Sequence, residues 1–235
     1  MRDPLTLAVA QPLCMSYDVA ANARAHAATV RSAHARVVVF PELSLTGYEL
    51  DAPTIRVDDP RLDAIMEACA ATGSLALAGA PVNGDGDQPH IGILAIDGAG
   101  ATIAYRKIWL GGHEPEWFAA GSDPTVIDVD GWGLGLAICR DTSAPEHAAA
   151  TAALGIEAYV AGVLESAEDA AVPAERARRI AAEHGVWVAM ASFAGSTGGG
   201  YESAAGGSGI WGPDGTAVAE AGPGVGEVVQ AILTP

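Results

Sequence analysis

Short apolar runs with the β-branched and alanine-rich make-up of buried strands recur along this chain, and stretches of helical periodicity fall between several of them. That alternation restricts the chain to an α/β architecture, because strand, helix and strand in succession pair in parallel through a crossover. The strand-like runs lie at residues 5–11, 36–40, 74–82, 91–97, 102–108, 125–129, 134–139, 157–164, 186–193, 209–211, 217–219 and 227–233. Apolar residues spaced three or four apart predict helices over 19–34, 60–71, 145–154 and 172–184. Asp59-Pro60 supplies a cap and a first-turn proline, and Gly73, Gly155 and Gly185 stand where helices should stop. Asp97-Gly98 and Asp214-Gly215 read as hairpin turns. Crossovers mixed with hairpins predict mixed sheets with helices outside them.

With 235 residues and 50% hydrophobic content, the chain is read as one domain over residues 1–235 with a sizeable core. A formal charge of −17 argues against a nucleic-acid or anionic-membrane surface, which is bound through clustered Lys and Arg. Cys14, Cys69 and Cys139 are too scattered for a disulfide framework or a zinc site, so a reducing, cytoplasmic compartment is expected. No apolar stretch approaches a membrane span. Gly131, Gly133 and Gly135 lack dinucleotide-binding spacing and fall in a strand. The glycine-rich segment 195–209 reads as a surface loop, with a flap beside the functional site as the alternative.

Three of the strand-like runs end on reactive side chains. Lysine and arginine total 12, and Lys107 alone is a lysine. Arg replaces Lys wherever only surface charge is needed, so a lone lysine at a strand end is a candidate for chemistry that needs a compact ammonium. The run Val37-Val38-Val39-Phe40 stops at Pro41 and delivers Glu42, and a second buried-type strand ends at Cys139 before polar residues and a helix start. In parallel sheets the carboxyl ends of strands face the ligand crevice. A carboxylate, an ammonium and a sulfur nucleophile together are what acyl transfer needs: a base for the thiol proton, a nucleophile, and a cation for the oxyanion.

The order Phe-Pro-Glu-Leu at 40–43, Tyr-Arg-Lys-Ile at 105–108 and Ile-Cys-Arg-Asp at 138–141, followed by Pro145-Glu146, is similar to the nitrilase superfamily of carbon–nitrogen hydrolases with its Glu-Lys-Cys triad. The likeness runs from Leu5 to about Leu233 and includes the late segment 207–215. It implies a four-layer α-β-β-α sandwich and a thiol amidohydrolase that cleaves a small non-peptide amide through a Cys139 thioester, with no metal or organic cofactor. Glu42 would be the base, Lys107 the oxyanion cation and Cys139 the nucleophile, its thiolate favoured by Lys107 nearby. Glu114 is preferred over Glu116 as the second carboxylate.

Tyr48, Trp117 and Arg140 are assigned to the substrate pocket, in which Trp109, Trp117 and Phe118 would form an aromatic wall. Arg140 would either meet a substrate carboxylate or turn away into a structural ion pair. Asp141 should brace the nucleophile's loop and Glu146 should sit in the first turn of the next helix, while His113 and His147 read as polar wall. The chain departs from the family pattern at Arg140, where an aromatic residue is frequent, and at Ala144, where Phe usually precedes Pro-Glu. The resemblance further implies a homodimer, for which the helices at 145–154 and 172–184 are the candidate face. Alternatives are a nitrilase or N-carbamoyl hydrolase, an acyltransferase, and a catalytically silent binding protein on the same fold.

Overall fold

The apolar runs pair into two six-stranded mixed sheets in a computed structural model that describes residues 2–84, 86 and 88–235. The first sheet comprises β1 (Leu5–Ala10), β2 (Val37–Val39), β3 (Leu75–Val82), β4 (His90–Ile96), β5 (Ala101–Arg106) and β14 (Val228–Leu233), in the order β14-β1-β2-β3-β4-β5. The second comprises β6 (Val126–Val129), β7 (Trp132–Ile138), β8 (Ala158–Val163), β9 (Trp187–Ser192), β12 (Gly209–Trp211) and β13 (Ala217–Glu220), in the order β13-β12-β9-β8-β7-β6. Each sheet has a parallel centre, β1-β2-β3 in one and β7-β8-β9 in the other, with antiparallel pairs outside. The central strands are apolar on both faces, as β2 and β8 show with every residue buried. At the margin β13 alternates between half-buried and exposed positions.

Apolar side chains sort into layers. Leu7, Val39, Leu77 and Ile93 of the first sheet meet Leu134, Leu136, Val160 and Ile210 of the second in the central core. Helices α1 (Val19–Ala33) and α2 (Asp63–Thr72) cover the outer face of the first sheet through Ala23, Ala27, Val30, Ile65 and Ala68. Helices α3 (Pro145–Ala152) and α4 (Val172–His184) cover the second through Ala148, Ala177, Ile180 and Ala181. The result is the expected four-layer α-β-β-α sandwich. Small residues at these helix positions let the backbones come close to the sheets, and each fully buried Val or Leu between the sheets adds about 1.5–3 kcal/mol of hydrophobic stabilisation.

Two expectations need correction. The predicted helix over 60–71 opens as a 3-10 turn at Pro60–Leu62, where Asp59 accepts from Arg61 N, and becomes α-helical only at Asp63. The glycine-rich segment is not a plain loop, since β10 (Ala194–Gly195) and β11 (Ala204–Ala205) pair there as a short ribbon. Gly73 and Gly185 take left-handed conformations at the ends of α2 and α4, as their positions suggested. Among the described residues, no helix is long and apolar enough to cross a membrane.

The two sheets come close enough at one place to define the site. The chain leaving β2 through Phe40 and Pro41 passes between Gly79 of β3 and Gly162 of β8. A Cβ at Gly162 would stand 2.7 Å from Phe40 O and 2.9 Å from Glu42 N, and one at Gly79 would strike Leu43 N and Pro41 O. These two glycines open the slot through which Glu42 reaches its place between the sheets.

Candidate active site

Each reactive side chain is delivered by the end of a strand. Glu42 follows β2 and is 1% exposed, with Leu43 behind it at a strained φ of 51°. Lys107 follows β5, its backbone N–H donating to Ile91 O at 2.8 Å, and is equally buried. Cys139 follows β7 at a φ of 41° and opens a 3-10 turn over Cys139–Ser143. That conformation turns the chain sharply and leaves the thiol half-buried. Glu114 opens a second 3-10 turn (Glu114–Glu116), and its Oε2 accepts from Gly111 N at 2.7 Å.

Lys107 Nζ lies 2.6 Å from Glu42 Oε1 and 2.8 Å from Glu114 Oε1. Glu114 Oε1 also accepts from the Tyr48 hydroxyl at 2.7 Å. Glu116 instead stands exposed and pairs with His113 at 2.7 Å, so Glu114 is the carboxylate that faces Lys107. Among the described residues, no hydrogen bond reaches the buried Glu42 Oε2. A buried acceptor without a partner is costly, which makes it the open position of the site.

Electrostatics assign the protons. Burial pushes the Glu42 carboxyl up to about 7, with the Glu114 charge adding to the rise and the Lys107 ammonium and nearby Cys139 thiol opposing it. Burial also disfavours the Lys107 ammonium, but Glu42, Cys139 and Glu114 outweigh it and hold the amine above its usual range. Burial and the Glu42 charge raise the Cys139 thiol beyond what Lys107 lowers it. Lys107 does favour the thiolate, but desolvation outweighs it and keeps the sulfur protonated until a base takes the proton.

A cavity of about 190 Å³ opens over these groups. Tyr48 and Arg140 line it, and so do Gly111, Gly112, Leu164, Glu165, Arg176 and Tyr201. Trp117 does not: it is 46% exposed and outside the lining, because its neighbour Phe118 turns inward into the central core and adjacent side chains diverge. Trp109 is likewise exposed, and the aromatic part of the wall is Tyr48 packed edge-on against Tyr201, with ring centroids 5.3 Å apart. The ribbon segment thus lies beside the site. Its backbone also meets the segment after Glu42, with Tyr48 N donating to Thr197 O at 2.7 Å.

Beneath Cys139, Asp141 Oδ2 accepts from Ile138 N at 2.9 Å and from the Tyr105 hydroxyl at 2.8 Å. Tyr105 then accepts from His147 Nε2 at 2.8 Å, and His147 Nδ1 accepts from Tyr159 at 2.9 Å. This order fixes a neutral His147, consistent with burial lowering its basicity. His147 is no cavity wall but part of a buried support, and His113 lies in solvent. Glu146 takes its expected place in the first turn of α3. Among the described residues, no three His, Cys, Asp or Glu side chains are grouped to hold a metal ion.

The family model described as carbon-nitrogen hydrolase matches residues 6–234. The chain belongs to that family. It is 30% identical over 217 residues to a hydrolase encoded in the 5′ region of pqqF in Pseudomonas protegens, covering 87% of this chain and 74% of that one. Among solved structures it resembles a cysteine-to-alanine mutant of the Nesterenkonia AN1 amidase, of the nitrilase superfamily, with a TM-score of 0.88 and 22% identity over 99% of this chain and 92% of that one. Saccharomyces cerevisiae Nit3, another nitrilase-superfamily member, gives a TM-score of 0.86 and 25% identity over 99% and 91% of the two chains. This carbon–nitrogen hydrolase therefore acts on C–N bonds other than peptide bonds.

Proposed function

We propose that the protein is a thiol amidohydrolase of small amides, with Cys139 as nucleophile and Glu42 as base. The observation that carries this reading is the buried, unpartnered Glu42 Oε2 beside a cavity that also contains the Cys139 thiol. An amide brings N–H donors to that acceptor; a nitrile brings none. The cavity's volume, below the several hundred cubic ångströms of sites for drug-sized ligands, suits a small substrate.

In this reading Glu42 takes the thiol proton as Cys139 Sγ attacks the amide carbon. The oxyanion is met by Lys107 Nζ and the Arg140 backbone N–H, which lies in the first turn of a 3-10 helix, where such donors have no partner within the helix. Glu42 passes its proton to the departing nitrogen, the C–N bond breaks, and an acyl-Cys139 thioester and ammonia or an amine remain. Glu42 then takes a proton from water, whose oxygen attacks the thioester. The acid leaves and the proton returns to Cys139. Glu114 and Tyr48 hold Lys107 and the base in register throughout.

The Nesterenkonia amidase lends analogy, having been captured with butyramide and with the acetamide moiety of fluoroacetamide added at its active-site cysteine. A thiol nucleophile is kept reduced in the cytoplasm, the compartment assigned here. A homodimer through the faces of α3 and α4 is part of the same reading, and a fully active monomer in sedimentation would remove it.

The test is ammonia release from a series of short amides and their matching nitriles. Amide turnover that vanishes in a folded Cys139→Ala variant is expected. Preferential turnover of nitriles, or release that survives Cys139→Ala, would overturn the assignment.

A further inference from the structure

Three cations line the cavity, Lys107, Arg140 and Arg176, and two of them are already neutralised. Lys107 lies between Glu42 and Glu114, and Arg176 Nη1 lies 2.6 Å from Glu165 Oε1. Arg140 has no carboxylate partner among the described residues, so the alternative of a structural ion pair does not account for its side chain. Nor does the side chain simply extend away from the cavity. A Cβ built on Gly111, which also lines the cavity, would stand 3.1 Å from Arg140 Cδ and 3.8 Å from Nη1. The stem is laid across Gly111, and the guanidinium is kept at the mouth.

In a protein of formal charge −17, an unpaired guanidinium held at the mouth of a small polar cavity has few uses other than to meet an anion arriving from solvent. Because Arg140 follows the nucleophile directly, that anion would be carried by the same molecule whose amide carbon is attacked. A planar, permanently charged fork suits a carboxylate, which it binds with two parallel hydrogen bonds.

We propose that Arg140 determines specificity by binding a free carboxylate of the substrate, so that the favoured substrates are monoamides of short dicarboxylic acids. The proposal rests on the reading of Cys139 as an amidohydrolase nucleophile and adds the substrate class. Arg140 acts here through its side chain, whereas the backbone N–H at the same position serves the oxyanion, so the two roles separate on substitution.

The probes are succinamate and 4-methylpentanamide, in which an isopropyl group replaces the carboxylate at similar size, and the measured quantity is the ratio of their kcat/KM values. Wild type should prefer succinamate, and Arg140→Met should lower the ratio about 10- to 100-fold, mostly through KM, as expected for loss of a charge-assisted pair. Arg140→Glu should turn the preference toward β-alaninamide, whose ammonium occupies the place of the carboxylate. A ratio unchanged in both variants, with turnover still dependent on Cys139, would overturn the role of Arg140 and leave the amidohydrolase reading intact. No turnover of any of the three amides by wild type would overturn both.

Discussion

Asp141 Oδ1 accepts a hydrogen bond from the backbone N–H of Trp109 at 2.8 Å, tying the turn that carries Cys139 to the segment that carries Lys107. The other carboxylate oxygen holds Ile138 N and Tyr105, so one buried side chain spaces Cys139 against Lys107 on the opposite sheet. Asp141→Asn retains one acceptor oxygen where the native side chain uses two. A buried N–H is then left unpaired, at about 1–3 kcal/mol. A lower Tm and a kcat reduced at least tenfold, with KM little changed, are expected from thermal melts and steady-state kinetics. Wild-type kcat in Asp141→Asn would show that the spacing does not depend on this carboxylate.

Lys107 is enclosed by two carboxylates, and its position cannot be filled by an arbitrary cation. A guanidinium is broader than an ammonium and cannot sit 2.6 Å from Glu42 and 2.8 Å from Glu114 without moving them. Lys107→Arg should be nearly as inactive as Lys107→Ala. The alanine variant should also be destabilised by about 3–5 kcal/mol, because two buried carboxylates lose their counter-charge. Denaturant titration should find that loss smaller at pH 5 than at pH 8, since protonation relieves the unpaired charge. Near-normal kcat in Lys107→Arg would reduce Lys107 to a generic positive charge.

Much of this arrangement is legible in the sequence because its determinants are local. Strand and helix periods locate the layers, and Glu42, Lys107 and Cys139 fall at strand ends, where an α/β sheet presents its chemistry. The unreadable parts depend on contacts between distant segments. Tyr201 lies in a glycine-rich stretch with no period, and Arg176 looks like any other polar residue of α4. Gly79 and Gly162 look like strand glycines until the 40–42 segment is seen crossing them. Glu165 could have been found, since β8 pairs in parallel with β7 and its carboxyl end must therefore lie beside Cys139. Trp117 misled because an aromatic residue in an active-site loop looks the same whether it turns in or out.

The Glu42 carboxyl, pushed up to about 7 in the folded protein from an ordinary value of 4.5, couples stability and activity to pH in opposite directions. An acid whose folded value is raised stabilises the protein fully below its unfolded value, and that contribution is lost as pH rises through about 7. The proposed mechanism needs Glu42 ionised, so kcat/KM should climb over the same interval. Because the Glu114 charge contributes to the rise, Glu114→Gln should move the midpoint of the remaining activity to lower pH. A midpoint unmoved or raised in the pH profile of Glu114→Gln would contradict this coupling.

In the proposed mechanism the Cys139 sulfur carries the acyl group between two half-reactions. It is tested most directly by mixing the protein with a short amide, quenching in acid within the first turnovers, and measuring intact mass and peptide masses. The expected result is an increase equal to the acyl group less one hydrogen, located on the peptide containing Cys139, absent from Cys139→Ala, and removed by hydroxylamine as a thioester is. Turnover with no adduct at Cys139 under any quench time, or an adduct confined to Cys14 or Cys69, would contradict it.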